Sequence, residues 1–217
     1  MTISPVIRPL RFFTVINPVV PAGLALCLAV LLSVPANAQE QTAGAPLWNM
    51  DQDKSMLGFI GDYAGTEFRG EFEKFAAIIR FDPEHPENGL FDVSIDVTSV
   101  TTYNDDWDEV ISYQEWFDSK NHPESKYVTK SIKAMEDDKF LAVGTLDLKG
   151  HKQDVELRFV WKKLSNGDVS IKGQAQMIGA AEVDRTDFAI GEGKWAEDDT
   201  VAFKIHVEVN LLLSPAE

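Results

Sequence analysis

The sequence is poor in cysteine and in positive charge. Cys27 is the only cysteine among 217 residues, so the chain cannot form an internal disulfide. Lysine and arginine total 20 against 35 aspartate and glutamate residues, which gives a formal net charge of −15. Binding to a phosphate backbone needs a basic surface, and attraction to an anionic membrane needs one too. We therefore expect no nucleic-acid partner.

Motifs of several enzyme and cofactor classes are absent as well. The sequence has no G-x-S-x-G, G-x-G-x-x-G, P-loop or C-x-x-C-H pattern. Its histidines are scattered and do not follow the i, i+4 spacing of a helical metal pair: His85, His122, His151 and His206. Acidic residues are abundant, and the run 105–109 could offer oxygen ligands to calcium, but it lacks the spacing of an EF-hand. We predict no metal site, no obligatory cofactor and no enzymatic activity.

The longest apolar run lies near the N-terminus and is typical of a secretory signal peptide. It extends from Val19 to Val34 after Arg8 and Arg11, and it is followed by the small-x-small pattern Ala36-Asn37-Ala38. A retained anchor is the alternative, but the run is short for a span of ~20 residues. We predict cleavage after Ala38 and a periplasmic location.

This cleavage gives the predicted domain organisation. Residues 1–38 form the signal peptide, residues 39–46 a flexible lead-in and residues 47–217 a single domain. The leader carries away the cysteine and two arginines, so the exported chain has no thiol and is still more acidic. A domain of this size can bury a sufficient core without disulfides.

The remaining chain shows a hydrophobic pattern with a period of two residues. Apolar and polar residues alternate over 91–97, 155–162, 169–177 and 201–213, and less regular runs cover 55–63, 67–82, 126–135 and 139–149. Turn residues separate these runs and predict antiparallel hairpins at 149–151 and 165–168. The stretch from Asn104 to Trp116 breaks the alternation and predicts a short helix that begins near Asn104 or Asp105.

About eight antiparallel strands can hide their edges in a sandwich or in a closed barrel. The interior is then either a packed aromatic core or an apolar cavity for one small ligand. The alternation alone leaves both choices open.

One loop combines charge with glycine. Arg185 lies between Asp184 and Asp187 and is followed by Gly191 and Gly193. An arginine fork can pair with a flanking carboxylate. We predict that Asp184, Arg185 and Asp187 pin this loop.

Several short motifs follow one another in a fixed order along the chain: 68–72 (FRGEF), 81–83 (FDP), 95–100 (IDVTSV), Asn104 with Asp108, 116–118 (WFD) with His122-Pro123, 144–150 (GTLDLKG) and 184–188 (DRTDF). Together they resemble the YceI-like family of exported, polyisoprenoid-binding proteins. The resemblance spans Trp48 to about Leu213, and Trp107 stands where the family usually has arginine.

The resemblance implies an all-β fold: an eight-stranded antiparallel lipocalin-like barrel with one short helix, after the signal peptide. It also implies a long apolar cavity for an isoprenoid chain, a quinone tail or a fatty amide or acid, and no catalytic residues. Alternation and position predict these ligand-binding residues: Phe59, Phe68, Phe72, Phe91, Val93, Ile95, Trp116, Phe117, Leu157, Phe159, Trp161, Ile171, Met177, Phe188, Trp195, Phe203, Ile205 and Val207. Tyr63, Tyr127 and Arg185 are the candidates for contact with a lipid head group.

The predicted function is a periplasmic carrier or storage protein with a bound isoprenoid or quinone lipid. One alternative is a redox-associated partner that delivers quinone to a membrane cytochrome. A carboxylate-type hydrolase that uses Asp105, Asp108, Asp184 or Asp187 is the weaker alternative. Transient contact with a membrane or a membrane cytochrome, and pairing of two barrels into a homodimer, stay open at this stage.

Overall fold

The computed structural model describes residues 44–164, 173–197 and 200–216. The predicted signal peptide, the predicted turn at 165–168 and Ile171 lie outside these ranges. Within the described ranges, one α-helix, α1 (Asp105–Ile111), accompanies eleven strands. The strands are β1 (Leu47–Met50), β2 (Met56–Tyr63), β3 (Thr66–Phe72), β4 (Phe75–Arg80), β5 (Leu90–Asp96), β6 (Val100–Thr101), β7 (Glu124–Ala134), β8 (Lys139–Leu148), β9 (His151–Lys163), β10 (Ala175–Asp184) and β11 (Lys204–Pro215).

The strands form a closed up-and-down barrel with eight walls. β1 with β2, β3 with β4 and β5 with β6 each form one interrupted wall, and every wall pairs antiparallel with the next along the chain. β11 pairs with β10 along one edge and with both β1 and β2 along the other, which closes the ring. The prediction of an eight-stranded antiparallel barrel with one short helix is confirmed.

The three interrupted walls break beside one another, and hydrogen bonds join two of the breaks. A 3-10 turn at Val97–Ser99 separates β5 from β6, and residues 73–74 separate β3 from β4. The Lys74 N–H donates to Ser99 Oγ at 2.9 Å, and the Glu73 N–H donates to the Ser99 carbonyl at 3.1 Å. The Asp96 carboxylate accepts from the Thr98 N–H and stabilises the turn. The breaks divide this side of the barrel into a lower level and an upper level made of β2, β3 and β6.

A gap opens in the upper level, and the helical segment fills it. β6 pairs with β3 and β7 pairs with β5, while no ladder among the described residues joins β6 to β7. Residues 102–123 occupy this position. α1 begins at Asp105 because the Asn104 side chain accepts a hydrogen bond from the Trp107 N–H at 3.1 Å. The predicted helix start is confirmed.

The lower end of the barrel is closed by aromatic side chains. Phe81, from the loop after β4, is fully buried, and its ring centroid lies 4.9–6.0 Å from those of four other rings. The Trp48 indole N–H donates to the Phe81 carbonyl at 2.9 Å and fixes that loop against β1. We call this cluster the aromatic floor: Trp48, Phe81, Phe91, Phe140, Phe159 and Trp161.

The opposite, upper end carries the β2–β3 and β8–β9 turns and the loop between β10 and β11. The β8–β9 turn is tight because Lys149 and Gly150 both adopt positive φ, 52° and 78°. It confirms the hairpin predicted at 149–151. In the described part of the chain, every helix falls short of the length and apolar character needed to cross a membrane.

Candidate functional site

A cavity of about 480 Å³ lies between the aromatic floor and the upper end of the barrel. This volume falls within the range of small-molecule sites, roughly 300–1,000 Å³. The walls are almost wholly apolar. The polar side chains along the lining are Tyr63, Thr102, Ser125, Tyr127, Arg185 and Lys194.

Most of the predicted ligand-binding residues line this cavity. Those on the strands are Phe59, Phe68, Phe72, Phe91, Val93, Ile95, Leu157, Met177, Ile205 and Val207. Those on the helical segment and the β10–β11 loop are Trp116, Phe117, Phe188 and Trp195. The period of two therefore identifies the inward face of these walls correctly.

Three predicted residues lie elsewhere. Phe159 and Trp161 face inward, but both belong to the aromatic floor and are absent from the cavity lining. Phe203 precedes β11, which begins only at Lys204, and its ring lies 5.3 Å from the Arg185 guanidinium carbon. The placement of these three in the cavity was wrong. Alternation gives the face of a strand but not the depth along the barrel, which misplaced Phe159 and Trp161, and Phe203 lies before the strand to which the alternation assigned it.

The helical segment contributes a side of the cavity that the strand pattern missed. Trp107, Val110 and Ile111 of α1 all line the cavity. Their i, i+3, i+4 spacing is the signature of an apolar helix face, so this signal was present in the sequence. α1 thus serves as part of the cavity wall where the strand ladder is missing.

Two segments meet above the cavity and form its mouth. The Gly191 and Glu192 N–H groups both donate to the Glu115 carbonyl, at 2.7 and 2.9 Å. The Trp116 and Trp195 rings lie 5.6 Å apart. The helical segment and the β10–β11 loop are thereby joined by backbone and aromatic contacts.

Arg185 organises the β10–β11 loop through backbone carbonyls. The residue is 2% exposed, and Nε donates to the Ala202 carbonyl at 3.1 Å. The other guanidinium nitrogens donate to the carbonyls of Ile190, Gly191, Trp195, Glu197 and Val201, at 2.7–3.3 Å. One guanidinium therefore donates hydrogen bonds to backbone carbonyls along most of the loop.

The flanking acids have different partners from those predicted. The Asp184 carboxylate accepts from the Thr186 N–H and hydroxyl, at 3.0 and 2.6 Å, and Asp187 is exposed at the surface. In the described loop, the guanidinium of Arg185 therefore donates to backbone carbonyls, and Asp184 stabilises the adjacent turn through Thr186. Gly191 is required beside the guanidinium, because its φ is +77° and a Cβ there would lie 2.1 Å from Nη1.

The head-group candidates on the strands occupy different depths. Tyr63 lies on the β2 end at the mouth, with its ring 5.4 Å from that of Trp107. Tyr127 lies inside the barrel, where burial, and secondarily the charge of Asp154, raises the pKa of its phenol and keeps it neutral. Its hydroxyl donates weakly to the Ala142 and Val155 carbonyls. Lys194, which was not predicted, places its ammonium 4.6 Å from the Trp195 ring centroid at the mouth.

Two of the acidic residues considered for catalysis, Asp108 and Asp184, accept hydrogen bonds from neighbouring threonines in the described chain. Partial burial would raise the pKa of Asp108, but hydrogen bonds from Thr102 and Thr101 outweigh it and lower the pKa. Those bonds connect α1 to the last residue of β6 and the residue after it, at 2.6–2.8 Å. Across the described residues, no group of three histidine, cysteine or acidic side chains is placed to hold a metal ion.

Known structures share this fold. The crystal structure of BcnA from Burkholderia cenocepacia is 24% identical, with a TM-score of 0.69 over 76% of this chain and 99% of that one. A YCEI protein of Campylobacter jejuni is 22% identical, with a TM-score of 0.63 over 70% of this chain and 87% of that one. A polyisoprenoid binding domain from Saccharophagus degradans, implicated in plant cell wall breakdown, is 14% identical, with a TM-score of 0.60 over 79% of this chain and 99% of that one. Identities this low show the fold alone.

Sequence comparison gives the family. The UPF0312 protein plu2095 of Photorhabdus laumondii is 27% identical over 104 residues, which cover 48% of this chain. The match spans 54% of that relative, so the chain covers about half the length of the curated protein that it resembles. The YceI-like domain matches residues 48–212, nearly the whole barrel. The chain therefore belongs to the YceI-like family.

Proposed function

We propose that the protein is a periplasmic carrier or storage protein that binds one long apolar lipid inside the barrel. The ligand class is isoprenoid-type: a polyisoprenoid, a quinone, or a fatty amide or acid of similar shape. The observation that carries this proposal is the cavity of about 480 Å³ inside a closed barrel, with walls that are almost entirely apolar. The name of the Saccharophagus degradans domain supports the same ligand class.

The driving force for binding is the removal of apolar surface from water. Burial contributes about 25 cal/mol for each Å² of apolar area. Lys194 and Tyr63 lie at the mouth, whereas the opposite end of the cavity meets the aromatic floor. The lipid therefore enters tail-first, with its polar head at the mouth.

The exported location rests on the predicted signal peptide and agrees with the acidic composition. A carrier of a water-insoluble chain has to remain soluble, and the net charge of −15, which becomes more negative once the predicted signal peptide is removed, favours solubility.

Expression of the whole gene in the producing cell, cell fractionation and native mass spectrometry of the purified protein test the proposal. We expect a discrete added mass that solvent extraction identifies as an isoprenoid or quinone lipid. A cytoplasmic unprocessed chain would contradict the location. A lipid-free mass that persists when lipids are offered would contradict the carrier function.

A matched pair of substitutions locates the lipid within the barrel. Ala181 lines the cavity on β10, while its neighbour Ala180 is exposed on the outer face of the same strand. Ala181→Phe fills part of the cavity, and we expect it to reduce the bound lipid at least tenfold, whereas Ala180→Phe should leave the lipid content unchanged. Equal lipid content in both variants would place the ligand outside the cavity.

A further inference from the structure

The lower end of the cavity is a wall of aromatic rings rather than an opening. Phe91 on β5 is the floor residue that also lines the cavity. Its ring lies 6.0 Å from that of Phe81 and 5.4 Å from that of Phe159, so the face turned away from the cavity is fully packed. A chain that enters from the mouth meets Phe91 at the end of its path.

The rings behind Phe91 are held in place on several sides. Phe140 and Phe159 are stacked at 5.3 Å, and the fully buried Phe81 contacts both of them. The Phe81 carbonyl accepts a hydrogen bond from the Trp48 indole, and the Phe81 N–H donates to the Pro46 carbonyl at 3.0 Å. Close-packed interiors of this kind deform little, so a bound chain cannot displace the floor without loss of stability.

We infer that the aromatic floor limits the length of the apolar chain that the barrel accepts, and that Phe91 is the residue that sets this limit. The inference rests on the lipid-binding function proposed above. Each methylene that is buried contributes about fourfold in affinity. Affinity for a homologous series therefore rises with chain length until the tail reaches Phe91. Beyond that length, added carbons stay in water at the mouth and contribute nothing.

The test uses all-trans isoprenoid alcohols that differ by whole isoprene units: geraniol, farnesol, geranylgeraniol and solanesol. Binding to the full delipidated protein is measured by native mass spectrometry. For the unmodified protein we expect affinity that rises along the series and then levels off. Phe91→Ala should move the levelling point to a longer alcohol, with at least tenfold tighter binding of the first homologue beyond the original limit.

Phe68→Ala is the matched control, because Phe68 lines the cavity at the upper end and contacts Trp107 near the mouth. The same truncation there should weaken all alcohols by similar factors and leave the levelling point unchanged. Met177→Phe, beside the floor on β10, should shorten the preferred chain. Phe91→Leu is the milder replacement if Phe91→Ala does not fold.

The outcomes distinguish a failure of the length limit from a failure of the proposed lipid-binding function. If the unmodified protein binds none of the alcohols, the proposed lipid-binding function is contradicted. If it binds them and the floor and mouth variants share one length profile, the floor does not set the limit. A levelling point that moves with Phe91 and Met177 but not with Phe68 supports the inference.

Discussion

At the scale of single residues, Arg185 shows how one buried cation can organise a long loop. A loop that turns over the end of a barrel leaves carbonyl groups without ladder partners, and buried unpaired carbonyls are costly. Six of them, from Ile190 to Ala202, accept hydrogen bonds from this guanidinium. This one side chain therefore satisfies carbonyls along the loop that the two short 3-10 turns at Arg185–Phe188 and Gly193–Trp195 leave without partners.

Replacement of Arg185 should be strongly destabilising. Arg185→Met keeps much of the aliphatic bulk but removes all the donors, and we expect the free energy of unfolding to fall by about 3–5 kcal/mol. Urea denaturation followed by tryptophan fluorescence measures the change. Arg158→Met is the control, because Arg158 is exposed and forms a surface ion pair with Glu156. Arg158→Met should change stability by less than about 1 kcal/mol, and equal losses in both variants would contradict the role of Arg185.

A pH-dependent contribution is expected from Asp108. Hydrogen bonds from Thr101 and Thr102 outweigh its burial, so its pKa in the folded chain lies below the ordinary value of 3.8. A lowered carboxyl pKa stabilises the fold at pH values above the unfolded pKa, and this stabilisation is lost as the pH falls through the folded value.

Asp108→Asn should therefore be less stable than the unmodified protein at neutral pH, by about 1 kcal/mol. The difference should shrink once the pH is lowered below 3.8, as followed by thermal unfolding across the acid range. Asp106→Asn, on the exposed face of the same helix, should show a smaller difference at neutral pH. A difference for Asp108→Asn that persists unchanged in acid would contradict the charged hydrogen bonds.

The sequence could not reveal the partners of Arg185. Every residue supplies a carbonyl, so a backbone acceptor leaves no signal, whereas flanking carboxylates such as Asp184 are visible and attract the prediction. Asn104 is the opposite case. Its role as a helix cap depends on residues three positions away, and local chemistry of that kind is readable from the sequence.

At the scale of elements, the short strand β1 stabilises more of the barrel than its four residues suggest. It bridges β4 and β11 and so closes the lower level of the ring. It also carries Trp48, whose ring lies 5.0 Å from that of Trp161 and whose N–H holds the Phe81 carbonyl.

Trp48→Ala should weaken both the attachment of β1 and the packing of the aromatic floor. We expect a loss of about 3–5 kcal/mol in the free energy of unfolding, because a large packed ring and a hydrogen bond disappear together. Trp107→Ala is the matched control on α1, where Trp107 is 37% exposed, and should cost about 1 kcal/mol. Denaturant titration of the two variants measures the difference, and a Trp48 variant as stable as the Trp107 variant would contradict the anchoring role.

Prediction from periodicity succeeds for elements that alternate and fails where depth or interruption matters. The inward positions Leu157, Phe159 and Trp161 follow one another on β9 with identical spacing, yet only Leu157 lines the cavity. The depth of each residue in the barrel depends on its register with the neighbouring strands. The sequence of one strand does not contain that register. The interruption at Val97–Ser99 is likewise fixed by a contact with Lys74 on another wall.

At the scale of the whole molecule, acidic charge dominates the surface. With 35 acidic against 20 basic residues, repulsion among like charges destabilises the compact state. The exposed ion pairs, such as Lys130–Asp154, are individually weak. Screening by salt therefore removes more repulsion than attraction.

Stability should accordingly rise with moderate salt. Between low and physiological sodium chloride we expect the free energy of unfolding to increase by about 1 kcal/mol. Urea titrations at several salt concentrations measure the trend, with choline chloride as a control for specific sodium binding. A decrease with salt would show that the ion pairs outweigh the net repulsion.

The choice between a sandwich and a barrel also belongs to this scale. Both architectures produce the same alternation along their strands, so inward residues such as Ile205 and Val207 do not distinguish them; the resemblance to a family made the choice. What closes the barrel is the pairing of β1 with β11, in which Trp48 lies opposite Pro215. These are the first and the last strands of the domain in sequence. A pattern within one strand carries no information about such a distant partner.

That closing pair has a consequence for how the molecule forms. The hydrogen bond from Ser214 to Asn49 joins residues 165 positions apart, whereas the other walls pair with their neighbours along the chain. Local hairpins assemble early, and the contact of greatest sequence separation carries the largest loop-closure entropy. Neighbouring strands therefore pair before the barrel closes, and the enclosed cavity forms only when the last strand pairs with the first.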